Sequence, residues 1–434
     1  MSADRLIGSS IGLRESDSIY SLMPRNRFGL TFVSTFPPRE CGIATYTQDL
    51  LFNLINENPE IKANVCAIDA NKDSSAYGCL SPLIYPKSRV AYVIKDTDPI
   101  SFVEAAHKIN ASRTDVVNIQ HEYGLYGGSW GRYILDFMDV LEKPIVTTLH
   151  TVLPKPPEEA KAVTREIYHL SAEVVVPGHV GVDILKNAFG VGPEKVKVIP
   201  HGVPDVPFIS TERPKKKLGF SHRFVLGSFG LLHPAKGIEY VLEALPKVIA
   251  DNPAMNVIYL VVGETHPNVI KNEGESYRAR LKEIIANLEL TDNVKFVDRY
   301  LTNRNLILHF LATDICLLPY LARDQIVSGV LSQAVGCGKA IIATPYLHAL
   351  DALADERGVI LESNSPYEIA EAITTLMRND RLRREMEIRT YMYGRSITWK
   401  EVAKRYKEVF TKHFIKRGYS KTDFPTYKRD TGAL

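Results

Sequence analysis

The side chains best suited to chemistry sit in short stretches that pair a polar group with glycine or a turn. In Pro319–Thr344, PYLARDQIVSGVLSQAVGCGKAIIAT, a polar turn leads into a small-residue helix over Ser328 to Gly336 and then a return strand. A helix start exposes unpaired N–H groups, so the amides of Val327, Ser328 and Gly329 are placed to cradle an anion. Gln325 and Gln333 stand on either side of that start, and an amide side chain, with one acceptor and two donors, suits a hydroxyl-rich ligand. Simple helix packing is the plainer account, with Ser332, Ala334, Gly336 and Gly338 permitting close approach.

Other stretches carry similar promise. In GLLHPAKG, Gly230 ends a strand pattern and Lys236 precedes Gly237 at a helix start, where a cation beside free amides would hold phosphate; a surface lysine fits equally well. His150 closes the strand PIVTTLHT and can bond a sugar or phosphate, or serve structure alone. His121, Glu122 and Tyr123 in QHEYGLYGG invite an acid–base reading, and no second ligand pair at suitable spacing supports a metal. Gly42, Gly127 and Gly128 let backbone approach a ligand closely, although turn chemistry alone would explain any one of them.

These residues need a scaffold that gathers strand ends. From Gly29 onward, short apolar runs alternate with helical patterns, which predicts parallel sheets covered on both faces. The alternation lapses in DVPFISTERPKKKLGFSH and then resumes. We therefore expect a loosely docked arm over residues 1–26, a Rossmann-like domain over 27–205, a linker over 206–221, and a second such domain over 222–396. The run Lys215, Lys216, Lys217 reads as solvated linker. Residues 397–434 form an amphipathic helix, with Val402, Tyr406, Val409 and Phe410 on one side, and a basic tail. Two such domains leave a cleft between the carboxyl ends of their sheets, and ligands bind there.

Composition narrows the function classes. The net charge of +3 over 434 residues gives no electrostatic case for a nucleic-acid partner. The five cysteines are scattered and odd in number, fitting neither a disulfide framework nor a zinc site, so a reducing, cytoplasmic setting is expected. No stretch has the length and apolarity of a membrane span, which leaves only peripheral membrane contact open, and the lysines of the C-terminal helix are expected to face solvent rather than lipid.

Taken together, FPPRECGIATY, PIVTTLHT, VIPHGVP, GSFGLLHPAKGIEYVLEAL, LVVGETHP, VKFVDRYL and QAVGCGKAIIAT resemble the retaining glycosyltransferases of family 4, in the GT-B class of twin Rossmann domains. The resemblance covers nearly everything from Phe28 to Phe414. It implies an α/β fold with a nucleotide-sugar or sugar-phosphate donor on the second domain, a carbohydrate or other hydroxyl acceptor on the first, and no cofactor. By resemblance, Lys236 is the diphosphate lysine, Gly42 the glycine near the donor phosphate, and His150 the histidine near the donor sugar. Gly230, Ser328 and Gly329 complete the donor side, and His121, Glu122 and Tyr123 are acceptor-side candidates. Gln325 and Gln333 fall on two glutamates of the family pattern, the first meeting the transferred sugar and the second the ribose.

The departures from that pattern carry physical consequences. Leu231 stands where a second diphosphate cation is usual, so a contact worth about 1.5–3 kcal/mol is missing unless Arg299 or Arg323 supplies it. Gln333 cannot accept bidentately from a ribose diol as a carboxylate does. Three readings follow: retaining, metal-independent glycosyl transfer; phosphorolysis of a glycoside with inorganic phosphate or a sugar 1-phosphate; and a sugar- or nucleotide-binding protein without catalysis.

Overall fold

The computed structural model describes residues 28–69 and 86–415. The expected N-terminal arm, the tail from Lys416 and most of the candidate acceptor loop 71–88 lie outside the described residues.

Two parallel sheets organise the chain. The first contains β1 (Phe28–Ser34), β2 (Ile61–Asp69), β3 (Val90–Lys95), β4 (Val116–His121), β5 (Ile145–Leu149), β6 (Glu173–Val176) and β7 (Val196–Val198), in the order β3-β2-β1-β4-β5-β6-β7. The second contains β8 (Phe224–Phe229), β9 (Val257–Val262), β10 (Val294–Val297), β11 (Ile315–Leu318), β12 (Ala340–Ala343) and β13 (Val359–Ile360), in the order β10-β9-β8-β11-β12-β13. Strands β4, β5, β6, β9, β11 and β12 are buried along their whole length, as expected when helices cover both faces of a parallel sheet. Strand order reverses between β1 and β4 and again between β8 and β11. Such reversals open a crevice at the carboxyl ends of the strands.

The connecting segment is more structured than a solvated linker. Glu212–Leu218 is helical, and Lys215 is buried, with its ammonium 2.8 Å from Asp314 just before β11. A buried lysine needs such a partner, and the partner lies about a hundred residues away in sequence, beyond the reach of local pattern reading.

The C-terminal helix Trp399–Ile415 returns to the first domain. Trp399, Val402, Tyr406 and Phe410 share a hydrophobic cluster with Phe28, Leu30, Phe32 and Tyr46. The Tyr406 hydroxyl lies 3.0 Å from that of Tyr46 and 2.9 Å from Thr148 Oγ1. The apolar side of this helix is thus occupied by protein. The two chain crossings run side by side: Val203 N donates to Ile397 O at 3.0 Å, and Trp399 N to Val203 O at 3.1 Å. Among the described residues, no helix is long and apolar enough to cross a membrane.

Candidate functional site

The reversal in the second sheet brings the loop after β8 against the loop after β11. Gly237 adopts φ +65°, and a Cβ there would stand 2.2 Å from the Pro319 carbonyl oxygen. Glycine therefore lets the Lys236 turn abut the end of β11. As a result Lys236 Nζ sits 3.9 Å from the centroid of the Tyr320 ring, a cation–π contact. Gly230, Leu232, Lys236 and Tyr320 line the small concavity formed there. Arg323, a candidate replacement cation, instead donates to Asn364 Oδ1 at 2.9 Å, while Arg299 is exposed.

The Gln325–Gly329 turn docks on the first domain, since Ile326 is buried within that domain's core cluster. Two expectations are corrected here. The Ser328 amide is not free for an anion, because it donates to His348 Nδ1 at 2.8 Å, and the Ser328 hydroxyl caps the helix Gly329–Gly336 by accepting from Leu331 N. Gln325 turns back on its own loop, donating to Val327 O at 2.7 Å, which satisfies a carbonyl the tight turn leaves unpaired. Gly329 stays exposed, and Gln333 keeps a buried Oε1 that has no partner among the described residues.

On the first domain, His150 follows β5, with Nε2 2.8 Å from Gln120 Oε1 and its ring edge-on to Tyr46 at 4.7 Å. Gln120 Nε2 donates to Asn118 Oδ1, and Asn118 Nδ2 donates to Val146 O. This relay ends on a carbonyl, so the His150 proton sits on Nε2 and Nδ1 is left as an acceptor. Burial, reinforced by His201 and His121, pushes the ring down to about 3, so it is neutral at pH 7.

The acceptor-side trio does not gather as expected. His121 is fully buried, stacked on Tyr126 at 5.7 Å, and held at about 3 by burial. It is therefore withdrawn from the cleft. Glu122 accepts from Tyr123 N at 3.0 Å and from Thr151 Oγ1 at 2.6 Å, and burial raises its carboxyl. The Tyr123 hydroxyl pairs with Thr164 at 2.7 Å. Gly42, by contrast, faces open space: a Cβ there would meet nothing within 4 Å. Nearby Glu40 is raised by burial and by the like charge of Glu264 on the facing second domain.

Sequence reading missed two histidines. His201 lies edge-on to Tyr46 at 5.0 Å, and its Nε2 is 3.8 Å from where a Gly329 Cβ would stand. His348 holds the Ser328 amide. VIPHGVP carried a signal for His201 as a motif only; nothing local marks His348.

Two Rossmann-like domains with parallel sheets define this as a GT-B protein. Residues 210–392 match the family model described as glycosyl transferases group 1, and residues 65–205 match that of glycosyltransferase family 4. The chain belongs to this glycosyltransferase family. It is 30% identical over 204 residues to an uncharacterized glycosyltransferase of Methanocaldococcus jannaschii, covering 46% of this chain and 48% of that protein. It is 23% identical over 292 residues to a D-inositol 3-phosphate glycosyltransferase of Corynebacterium glutamicum, covering 63% of this chain and 67% of that one. The chain thus spans about half the length of the first relative and two thirds of the second. Among solved structures, the Anabaena protein HepE in complex with UDP superposes with a TM-score of 0.65 at 17% identity, covering 89% of this chain and all of that one (100%). Sucrose-phosphate synthase of Thermosynechococcus elongatus gives 0.70 at 15% identity, covering 90% and 100%. At such identities the likeness is one of fold.

Proposed function

We propose that this protein transfers a sugar, with retention and without a metal, from a nucleotide-sugar donor to a hydroxyl acceptor. The observation that carries this reading is Lys236, held over Tyr320 at the strand reversal of the second sheet, in a chain of this family. HepE, described with UDP, supports a nucleotide donor. Lys236 neutralises charge that develops on the departing phosphate, an electrostatic form of catalysis. The bond from the anomeric carbon to the phosphate oxygen breaks, the bond to the acceptor oxygen forms on the same face, and the acceptor's proton passes to the phosphate oxygen. Gly42 and Gly230 admit the phosphates, His150 Nδ1 accepts from a sugar hydroxyl, and the unpartnered Gln333 Oε1 accepts from a ribose hydroxyl. The free cysteines at positions 41, 66, 316 and 337 favour a cytoplasmic setting.

Replacing Lys236 with alanine is expected to lower transfer about a hundredfold while leaving the fold intact, read by initial rates and circular dichroism. Full activity of that variant on its donor would refute the role. Thermal-shift measurements with UDP, GDP, ADP and inorganic phosphate are expected to show stabilisation by a nucleoside diphosphate; stabilisation by phosphate alone would point to phosphorolysis instead.

A further inference from the structure

His201 and His348 approach the start of the helix Gly329–Gly336 from opposite domains. His201 follows β7 of the first sheet, and His348 lies in the helix Leu347–Ala352 of the second domain. Their backbone partners fix opposite tautomers. His201 Nδ1 lies 2.7 Å from Gly202 O, and a carbonyl only accepts, so Nδ1 carries the proton and Nε2 is bare. His348 Nδ1 lies 2.8 Å from Ser328 N, and a backbone N–H only donates, so Nδ1 is bare and Nε2 carries the proton.

Both rings are neutral at pH 7, since burial pushes His201 down to about 4 and His348, with help from His201, to about 3. Neither Nε2 finds a partner among the described residues, and both side chains remain partly open. His201 Nε2 borders Gly329, the residue next to the Ser328 amide that His348 holds. A ring from each domain therefore meets the turn Ser328–Gly329, His201 through Nε2 at the exposed glycine and His348 through Nδ1 at the adjoining amide.

We propose that His201 and His348 together bind one hydroxyl group of a sugar substrate, an inference that rests on the glycosyl-transfer reading above. A hydroxyl can donate to His201 Nε2 while accepting from His348 Nε2–H. A deprotonated phosphate oxygen or an ether cannot donate, and an ammonium cannot accept, so the pair selects a hydroxyl over each of them. Because the two nitrogens belong to different domains, the bound hydroxyl also bridges the cleft.

Histidine labelled with 15N in the wild-type protein tests the premise without any ligand. A protonated Nδ1 at His201 and a protonated Nε2 at His348 are expected; the same tautomer at both positions would overturn the proposal. Binding is then measured by calorimetry with UDP-glucose, GDP-mannose and ADP-glucose, each beside its free nucleoside diphosphate. In His201→Phe, which keeps the ring, and His348→Asn, which keeps an acceptor for Ser328 but loses the reaching N–H, two arms are read. If the hydroxyl belongs to the donor sugar, the nucleotide sugar weakens about tenfold while the nucleoside diphosphate is unchanged. If it belongs to the acceptor, donor binding holds and the acceptor KM rises about tenfold, with inositol 3-phosphate and free hexoses as probes. His201→Gln and His348→Gln, which place an amide near Nε2, restore part of either effect. Unchanged donor binding together with unchanged acceptor KM would overturn the proposal. Failure of the wild type to bind any nucleotide sugar would instead remove the glycosyl-transfer reading on which it rests.

Discussion

Lys236 shows how a single residue acquires a role from its neighbours. Its ammonium would be an ordinary surface charge if Gly237 did not let the turn press against Pro319 and set Nζ over Tyr320. On the proposed reading Tyr320 is a positioning residue, because the ring face holds the cation in the concavity where phosphate is expected. Tyr320→Phe keeps the ring, and it also removes a hydroxyl buried with no partner among the described residues. It should bind UDP as the wild type does. Tyr320→Leu should weaken UDP about tenfold, the scale of a partly desolvated cation–π contact, as read by calorimetry. Equal affinity in the two variants would show that the ring does not position the lysine. The Lys-Gly pair was legible in the sequence because its geometry is local; the partner ring, 84 residues on, was not.

Among the elements, the C-terminal helix is the one whose sequence gave its form and withheld its destination. Its apolar spacing defines a helix with one buried side, yet that side could have faced lipid, the second domain or the first. The answer lies in Glu173, a buried carboxylate at the start of β6 that accepts from Lys412 Nζ at 2.8 Å and from His413 Nε2 at 2.7 Å. Burial alone would raise this carboxyl, but the hydrogen bonds from His413 and Lys412 and the charge of Lys412 outweigh it and hold it at about 2. Its folded value is depressed, so its stabilisation is present above the unfolded value of about 4.3 and is lost as pH falls towards 2. Glu173→Gln should therefore cost about 1–3 kcal/mol at pH 7, with the half-exposed Lys412 moderating the loss, and nothing near pH 2. Chemical denaturation at the two pH values checks this. An equal difference at both would mean that packing, rather than charge, fastens the helix.

The whole molecule is held by two adjacent crossings and by a cleft lined with neutral histidines. At the crossings Gly202 packs under Trp399, where an added Cβ would come within 2.3 Å of the indole. Gly202→Ala should destabilise the protein by about 1–3 kcal/mol through overpacking, seen as a lower Tm. The cleft sets a separate pH dependence. His150 and His348 at about 3 and His201 at about 4 lie well below the ordinary value of about 6.5, so the unfolded chain binds more protons across that window. Stability contributed by these rings is complete above about 6.5 and falls as the pH drops towards 4 and 3. Tm measured from pH 7 to pH 4 should decline, and His201→Phe should flatten part of the slope. A slope unchanged by that variant would mean His201 does not titrate as its burial requires.

The sequence by itself determined the alternating strands and helices, hence two parallel sheets, and the glycines and lysine at strand ends, hence a crevice suited to an anion. Those features follow from the periodicity of side chains and from backbone constraints that act within a few residues. Only the tertiary structure decided which groups are free to use the crevice. The Ser328 amide looked available until His348 was found to hold it, His121 looked like a cleft residue until β4 turned it into the core, and Lys215 looked solvated until Asp314 paired with it. The physical reason is the same in each case. A donor, ring or charge that leaves water must be satisfied or packed by whatever the fold brings beside it, and for the Ser328 amide and Lys215 that partner comes from another element of the chain.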